Sequence, residues 1–232
     1  MIRLFINETL GVSKEILLEE KKAHYLVNVM RLKPEDELLV FNGKDGEYKA
    51  TLNMLSKKKY VVKLIEQTQE QKNKETCILC PAIIKKENMD LVLQKATELG
   101  VTDIYPLLTQ RCVVRNFNQQ RANLIVEEAS EQSERLDCPI VHEPCSLADL
   151  FKNLPQDAQV LFLSERGISD DFSFKNIQKP AFIIGPEGGF TSQEVEFISK
   201  QNNVNSLHLG DTILRAETAS IAIVSCWQYR NI

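Results

Sequence analysis

Residues 182–219 hold the stretch that decides the fold; it opens Phe-Ile-Ile-Gly-Pro-Glu-Gly-Gly-Phe-Thr (182–191) and closes Leu-Gly-Asp-Thr-Ile-Leu-Arg-Ala-Glu-Thr-Ala (209–219). The short apolar run 181–184 lies between a proline and a glycine, which predicts a buried strand. The glycines of 185–189 let backbone N–H groups approach a ligand closely. The stretch therefore predicts a strand that leads into a ligand-binding loop.

A helix completes this first strand–loop–helix unit, and a second unit of the same kind follows it. The segment 191–194 (Thr-Ser-Gln-Glu) is a capping box that predicts the start of a helix. Residues 204–209 predict another strand that ends at Gly210, and 216–230 predict a long apolar helix. Because parallel strands bring their carboxyl ends to one edge, the two loops would form a pocket. The alternative is that both are ordinary strand-to-helix turns.

The composition describes an ordinary globular chain of 232 residues, with 43% hydrophobic and 26% charged residues. A net charge of −4 argues against a generally basic nucleic-acid coat. No stretch reaches the ~18 apolar residues that span a bilayer, and the N-terminus lacks the pattern of a signal peptide. The expected protein is cytoplasmic and has no membrane partner.

The six cysteines leave two interpretations open. Cys77 and Cys80 have the spacing of half a zinc site, which Cys138, His142 and Cys145 could complete. However, 77–84 is an apolar run typical of a buried strand, where cysteine acts as a small hydrophobe. We therefore expect reduced thiols and no metal.

The first third of the chain predicts a small β-rich unit. Residues 38–52 contain an Asn-Gly turn between two strand patterns, which predicts a hairpin. Residues 60–65 predict a further strand, and 24–33 an amphipathic helix stopped by Pro34. The polar segment 66–75 predicts a linker.

From residue 77 onward, strand and helix patterns alternate, which predicts a largely parallel α/β sheet. The strands are expected at 77–84, 101–108 and 160–163, with helices at 119–134 and after an Asn88 cap. Three strand ends, at Ser164, Gly185 and Gly210, should meet at one edge. The loops match neither the Walker A sequence, nor the Gly-x-Gly-x-x-Gly fingerprint, nor a serine-hydrolase elbow.

These residues resemble a known family. The segments 185–191 and 209–219, together with 85–100, 111–115 and 24–52, look like the RsmE-type ribosomal RNA uracil-N3-methyltransferases of the SPOUT class. The resemblance covers nearly the whole chain in the same order. It departs at Ser133-Glu134, where the family usually has Cys-Gly or a similar pair.

The resemblance implies a two-domain α/β protein. Residues 1–68 would form a PUA-like β-rich RNA-binding domain. Residues 76–232 would form a trefoil-knotted parallel sheet flanked by helices, which dimerises through the knot. The implied reaction is S-adenosylmethionine-dependent methylation of N3 of a uridine in 16S ribosomal RNA, within the small ribosomal subunit. The alternatives are a SPOUT methyltransferase for another rRNA or tRNA nucleotide, or a non-catalytic RNA-binding assembly factor.

The family also implies the site. The cofactor-binding residues would come from the three loops: Leu163, Ser164, Ile184, Gly185, Pro186, Glu187, Gly188, Gly189, Leu209, Gly210, Ile213, Leu214, Thr218 and Ala219. The family does not supply a general base. From their place in the loop that faces the donor, we hypothesise that Arg215, as a buried cation, stabilises charge on the uracil oxygens, with Glu217 orienting it or accepting a proton; the alternative is an ion pair at a helix start. The candidate RNA contacts are Arg3, Arg31, Lys33, Lys85, Lys86, Arg111 and Arg115, each of which a solvated surface charge explains equally well.

Overall fold

The structure, a computed structural model, describes residues 1–56, 59–163, 174 and 177–230. The chain forms two compact units. The first contains Met1–Asn73 and Ser130–Cys138, and the second contains Lys74–Ala129 and Pro139–Ile232. The segment Ser130–Cys138 thus belongs to the unit formed by the N-terminal third, although the sequence assigns it to the second domain.

The first unit is built on one five-stranded sheet with the order β1-β3-β4-β5-β2. The strands are β1 (Arg3–Phe5), β2 (Glu15–Leu17), β3 (Glu37–Phe41), β4 (Glu47–Ser56) and β5 (Lys59–Gln69). The predicted hairpin is confirmed, because β3 and β4 pair antiparallel across the Asn-Gly turn. Gly46 has a φ of +85°, and a side chain there would collide with the carbonyl of Gln69. The turn therefore needs glycine at this position.

Two predictions for this unit were wrong in their boundaries. The helix expected at 24–33 is α1 (Glu20–His24) followed by a π-helical turn (Tyr25–Val29), so Arg31 and Lys33 lie beyond its end. The expected linker at 66–75 begins with strand, because β5 continues to Gln69. Thr68 and Gln69 both donate to Oε1 of the buried Glu47, at 2.7 and 3.2 Å, which explains why this polar end stays in the sheet.

Arg3 is wrong as a candidate RNA contact, because its side chain is inside the first unit. The residue is 7% exposed, and its Nη2 lies 2.7 Å from Oε2 of Glu47, which is 2% exposed. The same guanidinium donates to the Arg135 carbonyl at 2.9 Å and lies over the Phe41 ring. A buried charge with these partners stabilises the unit and is unavailable to a polyanion.

The second unit contains a six-stranded sheet with the order β11-β9-β10-β6-β7-β8, and every neighbouring pair is parallel. The strands are β6 (Ile78–Pro81), β7 (Asp103–Ile104), β8 (Ile140–Val141), β9 (Gln159–Leu163), β10 (Pro180–Ile184) and β11 (Val204–Leu207). The helices are α2 (Lys86–Glu98), α3 (Gln119–Gln132, of which residues 130–132 belong to the first unit), α4 (Leu147–Asn153), α5 (Ser192–Ser199) and α6 (Ala216–Gln228). The predicted parallel α/β sheet is confirmed.

Helices cover both faces of this sheet. In β10, Phe182 and Ile184 join the apolar cluster of α2 and α6, which includes Trp227. Ala181 and Ile183 point the other way, into a cluster with α4 and α5. A strand buried on both faces reads as a continuous apolar run, which is why the sequence identified β10.

The order of the strands in this sheet shows how the chain connects at the β11 edge. β9 lies between β10 and β11, so the connection from β10 to β11 must pass β9. This order is consistent with the knotted return that the resemblance implies, and the knot itself stays a prediction.

Several predicted boundaries in the second unit were also wrong. The strand expected at 101–108 is only Asp103–Ile104, because Pro106 has no N–H to donate; beyond it, Leu107 forms two isolated bridges, to Ala82 and to Cys145. The N-cap residue of α2 is Lys85, which makes no side-chain cap hydrogen bond, and the expected cap residue Asn88 lies inside the helix. The strand expected at 77–84 is shorter. Helix α4 was not predicted, although Ser146 and Asp149 form a helix-start pattern, and neither was the two-residue β8.

The six cysteines are free thiols. Burial raises the pKa of the Cys80 thiol well above its ordinary value, so it stays protonated. Among the described residues, no group of three His, Cys, Asp or Glu side chains is placed to hold a metal ion. None of the described helices has the length and apolar character needed to cross a membrane.

Candidate active site

A cavity of about 400 Å³ opens where β9, β10 and β11 end, and we call it the sheet-edge cavity. Its walls come from two segments, the glycine loop (185–190) and the Leu209 segment (208–215), with Val195 and the start of α6. A volume of this size is typical of small-molecule sites. The loops therefore form one pocket, as the sequence predicts.

Most of the predicted cofactor residues line this cavity. They are Leu163, Ile184, Gly185, Pro186, Glu187, Gly188, Gly189, Leu209, Ile213, Leu214 and Ala219. Gly210 and Thr218 do not line it, and both are exposed. Ser164 lies outside the described residues. The walls also include residues that the sequence did not single out, among them Phe162, Phe190, His208 and Thr212.

The glycine loop has a fixed turn at its centre. The Gly189 N–H donates to the Pro186 carbonyl at 2.8 Å, and Gly189 has a φ of +65°. A Cβ on Gly185 would lie 2.8 Å from the Phe190 ring, which itself packs edge-on against Phe162. Gly185 is therefore required by the position of this ring, while Gly189 is required by its backbone conformation.

Arg111 holds the glycine loop from outside. Its Nη1 donates to the carbonyl oxygens of Gly188 and Phe190, at 2.9 and 3.3 Å, and its side chain lines the cavity. The sequence indicated Arg111 only as an RNA contact. Its exposed guanidinium leaves that prediction open, but the structure adds a positioning role that no local pattern shows, because the two segments are far apart in sequence.

Glu194 ties the same loop to α5 and to the segment that carries Arg111. The residue is only 7% exposed. One carboxylate oxygen accepts from the Gln110 N–H at 2.8 Å, and the other accepts from the Thr191 N–H and hydroxyl at 2.8 and 3.1 Å. The predicted capping box is confirmed. The bond to Gln110 extends this local motif into a tertiary contact.

The Leu209 segment differs, because its residues are more open. Ile213 is 71% exposed although it lines the cavity. Arg215 also lines the cavity but is exposed, so the expectation of a buried cation is wrong. It precedes α6 as the N-cap residue and makes no side-chain cap bond.

Glu217 is buried in the first turn of α6, 9% exposed, and does not line the cavity. Its Oε2 has no hydrogen-bond partner among the described residues, and it forms no ion pair with Arg215 there. The suggested Arg215–Glu217 pair is therefore not present. A carboxylate in the first helical turn is favoured by the exposed N–H groups of the helix start.

The remaining candidate RNA contacts are all exposed. Arg31 and Lys33 follow the π-helical turn in the first unit. In the second unit, Lys85 and Lys86 begin α2, and Arg111 and Arg115 follow β7 along the chain. Exposure keeps each of them available to RNA, and their role stays a prediction.

Comparison with known proteins identifies similar domains in both parts of the chain. Residues 70–228 match the family described as an RNA methyltransferase domain. Residues 18–65 match the RNA methyltransferase PUA domain.

Individual relatives are similar over nearly the whole chain. The ribosomal RNA small subunit methyltransferase E of Rickettsia conorii is 39% identical, covering 96% of this chain and 93% of its own. The protein of the same name from Bacillus subtilis is 30% identical, covering 91% and 88%. A crystal structure of the Neisseria gonorrhoeae protein of that name, bound to S-adenosyl methionine, has a TM-score of 0.88 and 30% identity, covering 98% and 97%.

Proposed function

Since the chain belongs to the ribosomal RNA small subunit methyltransferase E family, we propose that it transfers a methyl group from S-adenosylmethionine to N3 of a uridine in 16S ribosomal RNA. The observation that carries the proposal is the sheet-edge cavity, formed by Leu163 and by two of the three loops that the family resemblance assigns to the methyl donor. A similar structure, 30% identical, contains S-adenosyl methionine.

The residues of the cavity fit such a donor. Apolar side chains such as Leu163, Ile184 and Leu209 offer surface for an adenosine. Gly185 and Gly189 let the chain turn close to the cavity without side chains in the way. The carbonyls of Gly188 and Phe190 already accept from Arg111, so the donor's polar groups would be read by other backbone groups.

When bound, S-adenosylmethionine supplies an electrophilic methyl group, so the chain's own task is orientation and electrostatics. Arg111 and Glu194 hold the glycine loop in place before the reaction. Uracil N3 lies on the pairing edge and carries a proton, so the base must enter unpaired. As the N–C bond forms, that proton passes to solvent and the methyl–sulfur bond of the donor breaks. We assign to Arg215, at the cavity wall, the role of stabilising the charge that appears on the uracil oxygens.

Glu217 receives no proton-transfer role in this proposal, because it does not line the cavity. We propose instead that its carboxylate stabilises the start of α6, which carries Arg215. The proposal further includes a homodimer formed through the second unit, action on the assembled small subunit, and a cytoplasmic location.

The test is transfer of labelled methyl groups to small ribosomal subunits from a strain lacking the gene, with nucleosides identified by mass spectrometry. We expect 3-methyluridine at one position, and no product from the otherwise folded Arg215→Ala protein at equal enzyme. Free 16S RNA serves as the comparison substrate. Another methylated nucleoside, or binding of the subunit without transfer, would contradict the proposal.

A further inference from the structure

A second cavity, of about 330 Å³, lies in the same unit, and we call it the α4–α5 cavity. Ser146 to Ala148, at the start of α4, form one side, and Gln193, Glu194 and Phe197 of α5 form the other. The segment 108–110 and Arg115 complete the lining. None of the residues assigned to the methyl donor lines this cavity.

The two cavities share a dividing wall. Gln110 lines the α4–α5 cavity and its neighbour Arg111 lines the sheet-edge cavity. On α5, Gln193 lines the α4–α5 cavity and Val195 lines the sheet-edge cavity. The Glu194 carboxylate fastens this wall through the Gln110 N–H, at 2.8 Å. A linear polymer that places one of its units in the sheet-edge cavity can therefore place the neighbouring unit in the α4–α5 cavity.

The lining of the α4–α5 cavity includes a cation and an aromatic ring. Arg115 is an exposed cation that forms no ion pair or hydrogen bond with any described residue. Phe197 is 37% exposed, and its ring is held edge-on by Phe151 at 5.9 Å between centroids. An aromatic ring and a guanidinium without a partner in the described part of the chain, both lining one cavity, suit an unpaired base and its phosphate.

The acidic groups near the cavity do not oppose this use. Both oxygens of Glu194 accept hydrogen bonds from Gln110 and Thr191. Asp149, which follows the lining of α4, is engaged by the Ser146 hydroxyl at 2.7 Å and by Lys152 at 2.9 Å. The cation at Arg115 is thus the charge in this cavity that has no partner among the described residues.

We propose that the α4–α5 cavity binds an unpaired nucleotide that flanks the target uridine on the same RNA strand. Phe197 stacks on its base and Arg115 contacts its phosphate. This subsite rests on the proposed function, and it sets which uridine is presented, because two unpaired nucleotides must engage together.

The test uses the full chain with unmethylated small ribosomal subunits. Arg115→Gln and Phe197→Leu should each raise KM for the subunit about five- to tenfold, which for Phe197→Leu is the low end of the effect of losing one stacked base. The affinity for S-adenosylmethionine, measured by calorimetry, should not change. For Arg115→Gln, the slope of log affinity against log salt should fall by about 0.7, the contribution of one single-strand phosphate.

Matched controls separate the subsite from charge and from folding. Lys200→Gln removes a cation at the other end of α5 and should leave both KM and the salt slope unchanged. Phe197→Tyr keeps the ring and should restore the KM of the wild-type protein. Thermal unfolding of every variant checks that the packing against Phe151 is intact.

The outcomes are distinguishable. If the wild-type protein transfers methyl groups and Arg115→Gln behaves as Lys200→Gln does, the subsite is wrong while the proposed function stands. If the wild-type protein transfers nothing, the proposed function fails first. If Phe197→Leu changed the oligomeric state of the protein without changing KM, a protein surface would cover the cavity. That result would also overturn the subsite.

Discussion

The glycine loop and the Leu209 segment face each other across the sheet-edge cavity but are held very differently. The glycine loop contains an internal hydrogen bond at Gly189, two bonds from Arg111 and the attachment of α5 through Glu194. By contrast, residues 208–214 of the Leu209 segment form no hydrogen bond with the described residues, apart from any strand pairing of β11. Hydrogen bonds fix the glycine loop, whereas the Leu209 segment is held by the packing of Leu209 against the core.

The difference suggests a division of work between the two walls. A fixed wall costs no further ordering when the donor binds, so it can determine orientation. Exposed apolar side chains such as Ile213 contribute a favourable free energy only when a ligand covers them. We therefore expect the glycine loop to be formed in the free protein and the Leu209 segment to become ordered with the donor.

The largest effect is expected from Gly185→Ala. The new methyl group would lie 2.8 Å from the Phe190 ring, so the ring or the loop must move. Strain of about 2 to 3 kcal/mol from overpacking would raise the Kd for S-adenosylmethionine roughly 30- to 100-fold. Calorimetric titration measures this.

Gly210→Ala is the matched control in the Leu209 segment, at a glycine that does not itself line the cavity. Nothing lies within 4 Å of a Cβ there, although its φ of +73° is unfavourable for alanine. We expect a loss of about 1 kcal/mol in folding stability and less than a threefold change in Kd. Equal Kd values for the two variants would mean that the walls do not differ.

Arg111→Gln should have the next largest effect. It removes the donor to the carbonyls of Gly188 and Phe190, and a charged hydrogen bond contributes about 1.5 kcal/mol. The Kd for S-adenosylmethionine should rise about tenfold. Arg115→Gln is the control, since Arg115 does not touch the loop, and a similar loss there would show that only net charge matters.

Glu194→Gln tests the attachment of the loop to α5. The amide keeps one acceptor oxygen, so either Gln110 or Thr191 must face an NH₂ group instead. We expect a loss of about 1 kcal/mol in unfolding free energy and about a fivefold rise in Kd for the donor. Glu196→Gln, exposed on the same helix, should change neither by a measurable amount.

Ile213→Thr should have the smallest effect and the clearest signature. Because the Ile213 side chain is 71% exposed in the free protein, the unfolding free energy of the variant should stay within about 0.5 kcal/mol of the wild-type value. The donor should bind about fourfold more weakly, since about 0.8 kcal/mol of apolar contact is lost. A destabilised protein with unchanged Kd would show that Ile213 packs in the fold and not on the donor.

Local patterns predicted the parts of the fold that local forces determine. The buried strand β10, the capping box of α5 and the Asn-Gly hairpin were all confirmed, because each depends on neighbouring residues. Boundaries failed where distant contacts decide. β5 continues to Gln69 only because Glu47 accepts from its polar side chains.

The candidate site shows the same limit. The sequence placed most cavity residues correctly, since they follow strand ends, but it treated Arg3 as a surface charge and Arg215 as buried. The burial of Arg3 depends on Glu47 and on the Arg135 carbonyl, 132 positions away in the chain. The role of Arg111 at Gly188 likewise depends on a separation of 77 positions. No pattern within one element contains that information.

The contrast between the two walls is tested most directly by amide hydrogen exchange with and without S-adenosylmethionine. In the free protein, the N–H groups of Gly189, Thr191 and Gln110 should already exchange slowly, because each donates a hydrogen bond. Those of residues 210–214 should exchange rapidly and slow at least about tenfold when the donor binds. Rapid exchange at Gly189 in the free protein, or exchange at 210–214 that the donor leaves unchanged, would contradict this account.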